Sequence, residues 1–325
     1  MRILVTGGTG FIGGALVRRL LDEGALVRVL ARPSRRADEL ERRGVEVIRG
    51  ELNDRDSVVR AIEGAQVVYH SAAKVHGPGT QKDFIETNVA GTQNVLEASI
   101  AKGVSHVVYL SSTAVYGLAQ AGLAITESTE YDSLPSQRNS YAQSKIEADQ
   151  YVVAVGRKTK LMVTILRPGV VWGPGESLPL ALLGFRMGNL NIVFGHREQR
   201  FPLTYVDNLV DAIELVGRRT EGGLKSYIVL DDDDLTLGTY HRALTEVAKT
   251  RTLFFPGWPV SLAALGGEAL TRLLPWGFDA RGWRREVTRA LENRRYDTHR
   301  IREETGWVPK VGLKTAVEQT VRGSD

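Results

Sequence analysis

The sequence predicts an α/β fold in which a doubly wound parallel sheet is followed by a smaller, mostly helical region on the C-terminal side. Two observations support this prediction. Over the first two-thirds of the 325 residues, short β-rich runs alternate with longer helical patterns, as they do in successive βαβ units. Several of these runs are almost continuously apolar, for example residues 107–110, which is typical of strands that helices cover on both faces.

The predicted elements follow one another in a regular order. Strands are expected at 2–6, 26–31, 45–49, 66–70, 106–111 and 161–167, and helices at 11–23, 54–63, 80–102 and 139–156. After Pro168, glycines interrupt this alternation and strands become scarce. A strand and a helix are expected at 203–218, a strand at 226–230, and mostly helix from about residue 236. We predict one domain over 1–168, to which 203–230 returns, and a smaller region made of 169–202 and 231–325.

Composition and charge exclude several classes of function. The chain has no cysteine, which rules out disulfides and thiolate chemistry. Its formal charge is +4, but the arginines are scattered rather than arranged in a basic stripe with aromatic residues, so we expect no nucleic-acid partner. We expect no metal site either, because His70, His76 and His196 lack tight ligand spacing with carboxylates. The acidic run 231–234 lacks the glycine and glutamate of a calcium loop.

Two apolar stretches bear on where the protein is located. Residues 3–5 form a strand-like run that leads directly into glycines, whereas a secretory signal needs a charged start and a longer apolar stretch. The segment 258–274 is interrupted by Gly266 and Gly267, and it is shorter than the roughly 20 apolar residues that cross a bilayer. We therefore expect a cytoplasmic protein without a membrane span.

Residues 6–13 read TGGTGFIG and place three glycines between an apolar strand and a helix. In this context they form a dinucleotide-binding turn of the Rossmann type. The first glycine permits the tight turn, the second lets the backbone approach a pyrophosphate, and the third allows the helix to pack closely on the strand. The N–H groups at the start of the helix then bind the phosphates. The candidate cofactor-binding residues of this turn are Gly7, Thr9, Gly10, Phe11, Ile12 and Gly13.

The end of the second predicted strand indicates which dinucleotide is bound. A carboxylate there would hydrogen-bond the ribose 2′-hydroxyl of NAD, but this strand ends in Ala31 and Arg32. An arginine would instead bind the 2′-phosphate of NADP through charge-assisted hydrogen bonds. The sequence therefore favours NADP over NAD, with Arg32 and Arg35 as the candidate residues that select it. The alternative is that Arg35 or Arg36 is a solvent-facing loop residue.

Tyr141 and Lys145 lie four residues apart in the helical segment NSYAQSK (139–145) and therefore share one helix face. A free tyrosine has a pKa of about 10 and is a poor base at neutral pH. A neighbouring ammonium group favours the phenolate and lowers that pKa, so we expect Lys145 to tune Tyr141 as the acid or base. Lys145 would also hold the nicotinamide ribose. This spacing is common in amphipathic helices, so the interpretation depends on the rest of the site.

The rest of the predicted site is the segment LSSTAVYG (110–117), at the carboxyl end of an apolar strand. Ligands of open parallel sheets bind beyond this edge. A hydroxyl group there can hydrogen-bond the substrate oxygen while Tyr141 transfers the proton. Ser112 is the best candidate, and Ser111 and Thr113 are the alternatives.

Together these segments resemble the extended short-chain dehydrogenase/reductases, also called the NAD-dependent epimerase/dehydratase family, over essentially the whole chain. The matching segments are TGGTGFIG (6–13), VVYHSAA (67–73), TNVAGTQNVLEA (87–98), SSTAVYG (111–117), YAQSK (141–145), RPGVVWGPG (167–175), TYVDNLVDAI (204–213) and GWVPKVGL (306–313). The resemblance implies a Rossmann-type dinucleotide-binding domain at 1–168 and 203–230, with the substrate-binding region in the rest of the chain. It also implies a homodimer, formed through the helices near 80–102 and 139–156.

The resemblance further implies roles for individual residues. It assigns catalysis to Ser112, Tyr141 and Lys145. It places Glu51 and Leu52 near the adenine, Ser71, Ala72 and Ala73 beneath the cofactor, and Pro168 and Val170 beside the nicotinamide amide. Asn88 matches the asparagine that stabilises the active-site architecture in the family, and we include it among the predicted cofactor-binding residues. The candidate substrate-binding residues are Lys74, Thr113 and Trp172.

Two segments bear on the substrate. Sugar-nucleotide enzymes of the family commonly carry an arginine just before a segment that corresponds here to YVDN (205–208), but Phe201 stands at that position and Arg200 one residue before it. In contrast, HSAAKVHGPG (70–79) and residues 287–307 look more like the branch of 3β-hydroxysteroid dehydrogenases and dihydroflavonol reductases. Residues 254–258, which read FFPGW, would suit either an apolar substrate lid or ordinary core.

The reaction we expect from the resemblance is the interconversion of a secondary alcohol and a ketone, linked to NADP(H), on a cyclic and fairly apolar small molecule. Tyr141 would act as the acid or base. The alternatives are a sugar-nucleotide epimerase or 4-ketoreductase that uses the same three residues, and a non-catalytic NAD(P)-sensing protein. The sensor is disfavoured because it needs the glycine turn but not Ser112, Tyr141 and Lys145.

Overall fold

The computed structural model describes residues 2–75, 79–117, 123–176, 178–180, 183–220, 222–271 and 283–323. A seven-stranded parallel sheet lies at the centre of the fold. Its strands are β1 (Arg2–Thr6), β2 (Leu26–Ala31), β3 (Glu46–Arg49), β4 (Val67–His70), β5 (His106–Leu110), β6 (Met162–Pro168) and β11 (Leu224–Val229). They lie in the order β11-β6-β5-β4-β1-β2-β3. The predicted fold class is confirmed, and β1 to β6 lie close to their predicted bounds.

The strand order creates the crevice in which the site lies. Strands β2 and β3 lie on one side of β1, whereas β4, β5 and β6 continue on the other side. The chain therefore winds outward in both directions, and the connections after β1 and β4 leave the sheet toward opposite faces. Open parallel sheets bind their ligands beyond the carboxyl ends of the strands at this reversal.

Helices cover both faces of the sheet. Successive side chains of each strand point to opposite faces, so the strands contribute to a hydrophobic core on each side. On one face lie α1 (Phe11–Asp22), α2 (Arg35–Arg42), α7 (Val206–Gly217) and α11 (His299–Thr305). On the other lie α3 (Arg55–Ile62), α5 (Gly91–Ala101) and α6 (Ser140–Lys158). Within β1, Ile3 and Val5 pack into the first core and Leu4 into the second, because successive side chains point to opposite faces.

The helix predicted at 80–102 is divided into three parts. Helix α4 (Gln81–Ile85) leads into a π-helical turn, Glu86–Ala90, and the chain then continues as α5. π-Helical turns inside longer helices are frequent at functional sites. This one contains Asn88, which is buried and is one of the predicted site residues.

Helix α2 begins at Arg35, where the sequence suggested a loop. Ser34 caps its first turn, since the Ser34 hydroxyl accepts a hydrogen bond from the N–H of Ala37 at 3.3 Å. Most of the helix is charged surface, and only Ala37 and Leu40 are buried. The apolar periodicity was therefore too weak to reveal the helix.

Strands are more numerous after Pro168 than the sequence suggested. They are β7 (Val170–Trp172), β8 (Gly184–Met187), β9 (Leu190–Phe194), β10 (Leu203–Tyr205) and β12 (Arg251–Phe255). Strand β9 joins β8 and β12 in a small sheet, and β10 pairs with β7. The expectation of helix after residue 236 is wrong for β12, because its partner β9 lies about 60 residues earlier and local pattern does not report such pairing.

The remaining helices complete the C-terminal part of the described chain. They are α8 (Leu237–Ala248), α9 (Trp258–Thr271), α10 (Trp283–Leu291) and α12 (Leu313–Arg322). Helices α8 and α12 pack on an aromatic core below β7 and β10. Within the described ranges, no helix is long and apolar enough to cross a membrane.

Candidate active site

A cavity of about 1090 Å³ opens beyond the carboxyl ends of the parallel strands. The residues that directly follow β1, β4, β5 and β6 line it, together with the start of α6 and the segment from α10 to Tyr296. This is the crevice that the strand order creates, and its volume is at the upper end of the range for small-molecule sites.

The glycine-rich turn between β1 and α1 has the geometry that the sequence predicts. Gly7 has φ of +75°, and a Cβ atom on it would lie 2.7 Å from the backbone nitrogen of Ala72. A Cβ atom on Gly13 would lie 2.2 Å from the carbonyl oxygen of Gly7. Gly10 is the N-cap of α1 and offers no side chain to the first N–H groups, and the first turn contains no acidic residue. The turn therefore fits a bound pyrophosphate.

Most of the predicted cofactor-binding residues lie on the cavity. Those that line it are Gly7, Thr9, Gly10, Phe11, Ile12, Gly13, Arg32, Glu51, Leu52, Ser71, Ala72, Ala73, Pro168 and Val170. They come from the ends of several strands that are far apart in the sequence. The N–H groups at the glycine turn can bind the phosphates of a dinucleotide. The small residues Ser71, Ala72 and Ala73 leave room for it along this edge.

Three arginines follow the end of β2, and each has different surroundings in the structure. Arg32 is exposed and lines the cavity. Arg36 reaches back to the glycine turn, where its Nη1 donates a hydrogen bond to the carbonyl oxygen of Thr9 at 3.2 Å. Arg35 is exposed, forms an ion pair with Glu39 at 3.2 Å, and is absent from the cavity lining. Arg36, which was not among the predicted cofactor-binding residues, therefore lies nearer to the turn than Arg35.

Ser112, Tyr141 and Lys145 all line the cavity at the junction of β5 and α6. The Ser112 hydroxyl lies near the phenol of Tyr141, since it lowers the pKa of that phenol. The Lys145 ammonium group donates hydrogen bonds to the hydroxyl of Tyr109 at 3.0 Å and to the carbonyl oxygen of Leu110 at 2.7 Å. The structure thus brings together the three predicted catalytic residues.

The charge that acts on Tyr141 differs from the one we expected. Burial raises the pKa of Tyr141, while the Ser112 hydroxyl and the charge of Arg289 oppose this rise without cancelling it. Lys145 is turned toward Tyr109 and Leu110, and burial lowers the pKa of Lys145 to about 8, against the charge of Asp149. In this structure Tyr141 is therefore a protonated acid at neutral pH.

Asn88 lies behind the cavity wall rather than on it. Its side chain accepts a hydrogen bond from the N–H of Lys74 at 2.7 Å and donates to the carbonyl oxygen of Lys74 at 2.9 Å. It also donates to the hydroxyl of Ser144 at 2.8 Å. Asn88 thus joins the loop after β4 to helix α6 and positions both.

Two of the three predicted substrate-binding residues lie on the cavity, and the third does not. Lys74 and Thr113 line the cavity, but Trp172 does not. Trp172 is 1% exposed and packs edge-on against Tyr205 and Tyr240, with ring centroids 5.4 and 5.7 Å away. The indole is part of the core below β7, so the structure does not support Trp172 as a residue that contacts substrate.

Two sequence-based arguments about the substrate change with the structure. Phe201 is buried in the same aromatic core, whereas Arg200 lines the cavity, so the position of Phe201 does not remove an arginine from the site. Phe254 packs on that core, Phe255 and Trp258 are largely exposed, and none of these three lines the cavity. The segment 254–258 therefore gives no support to an apolar lid.

A buried ion pair fixes the catalytic helix to the sheet. Asp149, one helical turn after Lys145, forms an ion pair with Arg167 of β6 at 2.7 Å, and the two side chains are 0% and 4% exposed. The Asp149 carboxylate also accepts hydrogen bonds from the hydroxyls of Ser111 and Tyr131. The pair therefore links α6, β6 and the residue before Ser112.

The sequence analysis missed the part of the cavity wall that α10 and the following segment provide. Arg289, Arg294 and Tyr296 line the cavity together with Ser112 and Tyr141. They lie more than 140 residues after Tyr141 in the sequence, among several scattered arginines. Nothing in the local pattern distinguishes these arginines from surface residues.

Among the residues that the structure describes, no group of three or more His, Asp or Glu side chains could hold a metal ion. His70 is a buried residue whose ring bonds to the hydroxyls of Thr6 at 2.7 Å and Thr92 at 2.9 Å. His76 lies outside the described residues.

Comparison with known proteins agrees with this geometry. Residues 3–229 match the NAD dependent epimerase/dehydratase family, and the chain therefore belongs to this family, the extended short-chain dehydrogenase/reductases. The chain is 30% identical to the 2-alkyl-3-oxoalkanoate reductase of Stenotrophomonas maltophilia over 340 residues, which cover 98% of each protein. It is also 30% identical to the 3 beta-hydroxysteroid dehydrogenase/Delta 5-->4-isomerase of Mycobacterium tuberculosis, over 79% of this chain and 70% of that protein.

A solved structure supports the same fold. The crystal structure of gox2253 superposes with a TM-score of 0.80 and 26% sequence identity, over 99% of this chain and 97% of that one. The predicted resemblance is confirmed. The protein is an NAD(P)-dependent oxidoreductase of the extended short-chain type.

The glycine turn yields a prediction with a matched control. Gly13→Ala places a Cβ atom 2.2 Å from the Gly7 carbonyl oxygen, so we expect it to lower the free energy of unfolding by about 1–3 kcal/mol. It should also weaken NADPH binding, measured by calorimetry. The neighbouring Gly14→Ala has only Gly8 oxygen nearby, at 3.4 Å, and should leave NADPH binding unchanged while stabilising α1 by about 0.5–1 kcal/mol. Equal effects of the two variants would contradict this account of the turn.

The Asp149–Arg167 pair yields a second prediction. Asp149→Asn leaves the buried Arg167 charge without its counter-charge, so we expect the free energy of unfolding to fall by about 3–5 kcal/mol in urea titrations. The control is Asp38→Asn, which removes a surface ion pair to Arg49 of similar length, 2.8 Å, from a side chain that is 60% exposed. That change should cost less than about 1 kcal/mol. A similar loss of unfolding free energy in both variants would show that burial does not determine how strongly the ion pair stabilises the fold.

Proposed function

We propose that the protein interconverts a ketone and a secondary alcohol on a fairly apolar substrate, with NADP(H) as its cofactor. The observation that carries this proposal is the placement of Ser112 and Tyr141 close together at the sheet edge, on the same cavity as the glycine turn. Two relatives support the reaction type, because an oxoalkanoate reductase and a hydroxysteroid dehydrogenase are both named for the interconversion of a carbonyl and an alcohol.

In the reduction direction, the residues of this chain supply the proton and hold the carbonyl. When bound, the nicotinamide supplies the hydride to the carbonyl carbon. Ser112 donates a hydrogen bond to the carbonyl oxygen, and Tyr141 transfers its phenolic proton to the same oxygen to complete the alcohol. The raised pKa of Tyr141 suits this acid role, since the phenol stays protonated at neutral pH. The resulting phenolate is then reprotonated from solvent.

Lys145 has a supporting role in this proposal. Its ammonium group is held beneath the site by the hydroxyl of Tyr109 and the carbonyl of Leu110. From this position it would hold the nicotinamide ribose, while the charge of Arg289 stabilises the negative charge that Tyr141 acquires after proton transfer. Its pKa of about 8 means that the ammonium form predominates at neutral pH.

The preference for NADP rests on the end of β2. Ala31 stands where a carboxylate would bind the ribose hydroxyls of NAD, and Arg32 lines the cavity directly after it. Arg36 adds a second guanidinium group beside the glycine turn. The N-terminus of α2 lies between these arginines, and its partial positive charge also favours an anion. All three features suit the additional phosphate of NADP.

A sugar-nucleotide epimerase or 4-ketoreductase is the second candidate, and Arg200 is the observation that favours it. This arginine lines the cavity one residue from the position at which relatives with such substrates carry one. Arg200 already forms an ion pair with Asp234 at 3.0 Å, which makes it less available to a diphosphate. We therefore rank this candidate below the ketoreductase.

Absorbance at the NADPH band tests the reaction and the role of Tyr141 together. We expect the wild-type protein to consume NADPH with apolar ketones and not with UDP-sugars. Tyr141→Phe removes the transferred proton, and kcat should fall by about 10²- to 10⁴-fold while NADPH binding is retained. Epimerisation of a UDP-sugar without net NADPH turnover would favour the second candidate. Undiminished turnover by Tyr141→Phe would exclude the proposed acid.

The cofactor preference is tested by Arg32→Gln. Loss of a charge-assisted hydrogen bond to the 2′-phosphate should lower kcat/KM for NADPH by about 10- to 100-fold and leave the value for NADH unchanged. The control is Arg42→Gln, at the C-terminal end of α2, where the side chain is exposed and absent from the cavity. It should change neither value. An unaltered NADPH/NADH ratio in Arg32→Gln would refute the role of Arg32.

A further inference from the structure

Apart from Arg32, which lies at the end of β2, four arginines line the cavity: Arg138, Arg200, Arg289 and Arg294. Three of them have carboxylate partners. Arg138 forms ion pairs with Asp132 at 2.9 Å and Glu286 at 2.6 Å, Arg200 with Asp234 at 3.0 Å, and Arg294 with Glu292 at 2.8 Å.

Arg289 differs from the other three. Within the part of the chain that the structure describes, no carboxylate lies within ion-pair distance of its guanidinium group. Its Nη1 and Nη2 donate instead to the carbonyl oxygens of Ala114 at 3.0 Å and Thr113 at 2.7 Å. Burial lowers the pKa of Arg289 to about 10, which still leaves it charged at neutral pH. One half-buried positive charge on the cavity wall is therefore not compensated by an ion pair, an arrangement that costs free energy unless an anion binds.

Arg294 supplies a second, independent observation. Its side chain is 5% exposed, and its Nη1 atom is buried without a hydrogen-bond partner. Buried guanidinium nitrogens are normally hydrogen-bonded, so an unpaired one on a cavity indicates a missing acceptor. Tyr296 lies between the two arginines. Burial raises the pKa of Tyr296, but the charges and hydrogen bonds of Arg289 and Arg294 outweigh this and hold it below its usual value.

The uncompensated charge lies close to the reacting groups. The carbonyl groups that hold Arg289 belong to the two residues directly after Ser112. The charge of Arg289 also lowers the pKa of Tyr141, which requires that the two side chains be near each other. An anion bound by Arg289 would therefore lie near a carbonyl group held by Ser112 and Tyr141.

We propose that Arg289 and Arg294 bind a carboxylate of the substrate, and that this carboxylate lies close to the reacting carbon, as in 3-oxo and 3-hydroxy acids. One uncompensated charge matches one carboxylate, and the guanidinium fork suits its two oxygens. The apolar part of such a substrate would contact Val170, Val171 and Val287, which line the same cavity. This inference rests on the proposed ketone–alcohol interconversion and specifies its substrate class.

Oxidation of stable hydroxy acids tests the inference. The wild-type protein is assayed with NADP⁺ and 3-hydroxydecanoate, its methyl ester, and 9-hydroxydecanoate, in which the carboxylate is far from the alcohol. We expect kcat/KM for 3-hydroxydecanoate to exceed that of its ester by about 10- to 100-fold. We expect 9-hydroxydecanoate to behave like the ester. Equal rates for the acid and its ester would overturn the inference.

Substitutions then locate the carboxylate site. Arg289→Gln should lower kcat/KM for 3-hydroxydecanoate by about 10- to 100-fold more than it lowers that for the methyl ester, whereas Arg289→Lys should retain part of the preference for the acid. The control is Arg284→Gln, since Arg284 is exposed on the same helix and does not line the cavity. Equal losses for acid and ester in Arg289→Gln would mean that Arg289 only supports residues 113 and 114, and would overturn the inference. If Arg289→Gln does not fold, the same comparison in Arg294→Gln decides.

These assays also separate the two proposals. Turnover of neutral ketones or alcohols without any preference for the acid would leave the proposed function intact and overturn the carboxylate site. Absence of turnover with every ketone and alcohol, with either cofactor, would refute the proposed function itself.

Discussion

The buried ion pair between Asp149 and Arg167 is the interaction on which the geometry of the site depends. Asp149 lies on the same helix as Tyr141 and Lys145, and Arg167 lies at the end of β6, next to residues that line the cavity. The carboxylate also binds the hydroxyl of Ser111, which precedes Ser112. Because both charges are buried, their geometry is strongly constrained, and this constraint holds the helix, the strand end and the serine loop in one arrangement.

The two ends of the cavity recognise their ligands in different ways. At the glycine turn, close backbone approach and the start of α1 provide a site for phosphates, and few side chains are needed. At the other end, recognition depends on side chains from α10 and the segment after it, above all Arg289 and Arg294. The first end suits a ligand common to the whole family, whereas the second can vary without disturbing the sheet.

Much of the fold could be predicted because its signals are local. Strands β1, β2, β4, β5 and β6 are almost entirely buried and read as mostly apolar runs, and the glycine turn lies directly between β1 and α1. Helix α2 was missed because its surface is almost entirely charged, and β12 because its partner β9 is distant in sequence. Trp172 was predicted to bind substrate, but its side chain lies in the aromatic core, and local sequence does not report such packing.

The sequence by itself determined the fold class and the dinucleotide turn, because both are encoded in local patterns, and it predicted Ser112, Tyr141 and Lys145 as catalytic residues from their resemblance to family motifs. Only the tertiary structure decided which charges surround these residues. It turned Lys145 toward Tyr109, brought Arg289 to Tyr141, and paired Arg138, Arg200 and Arg294, but not Arg289, with carboxylates. Electrostatic interactions depend on distance in space and on burial, and neither quantity can be read from spacing along the chain.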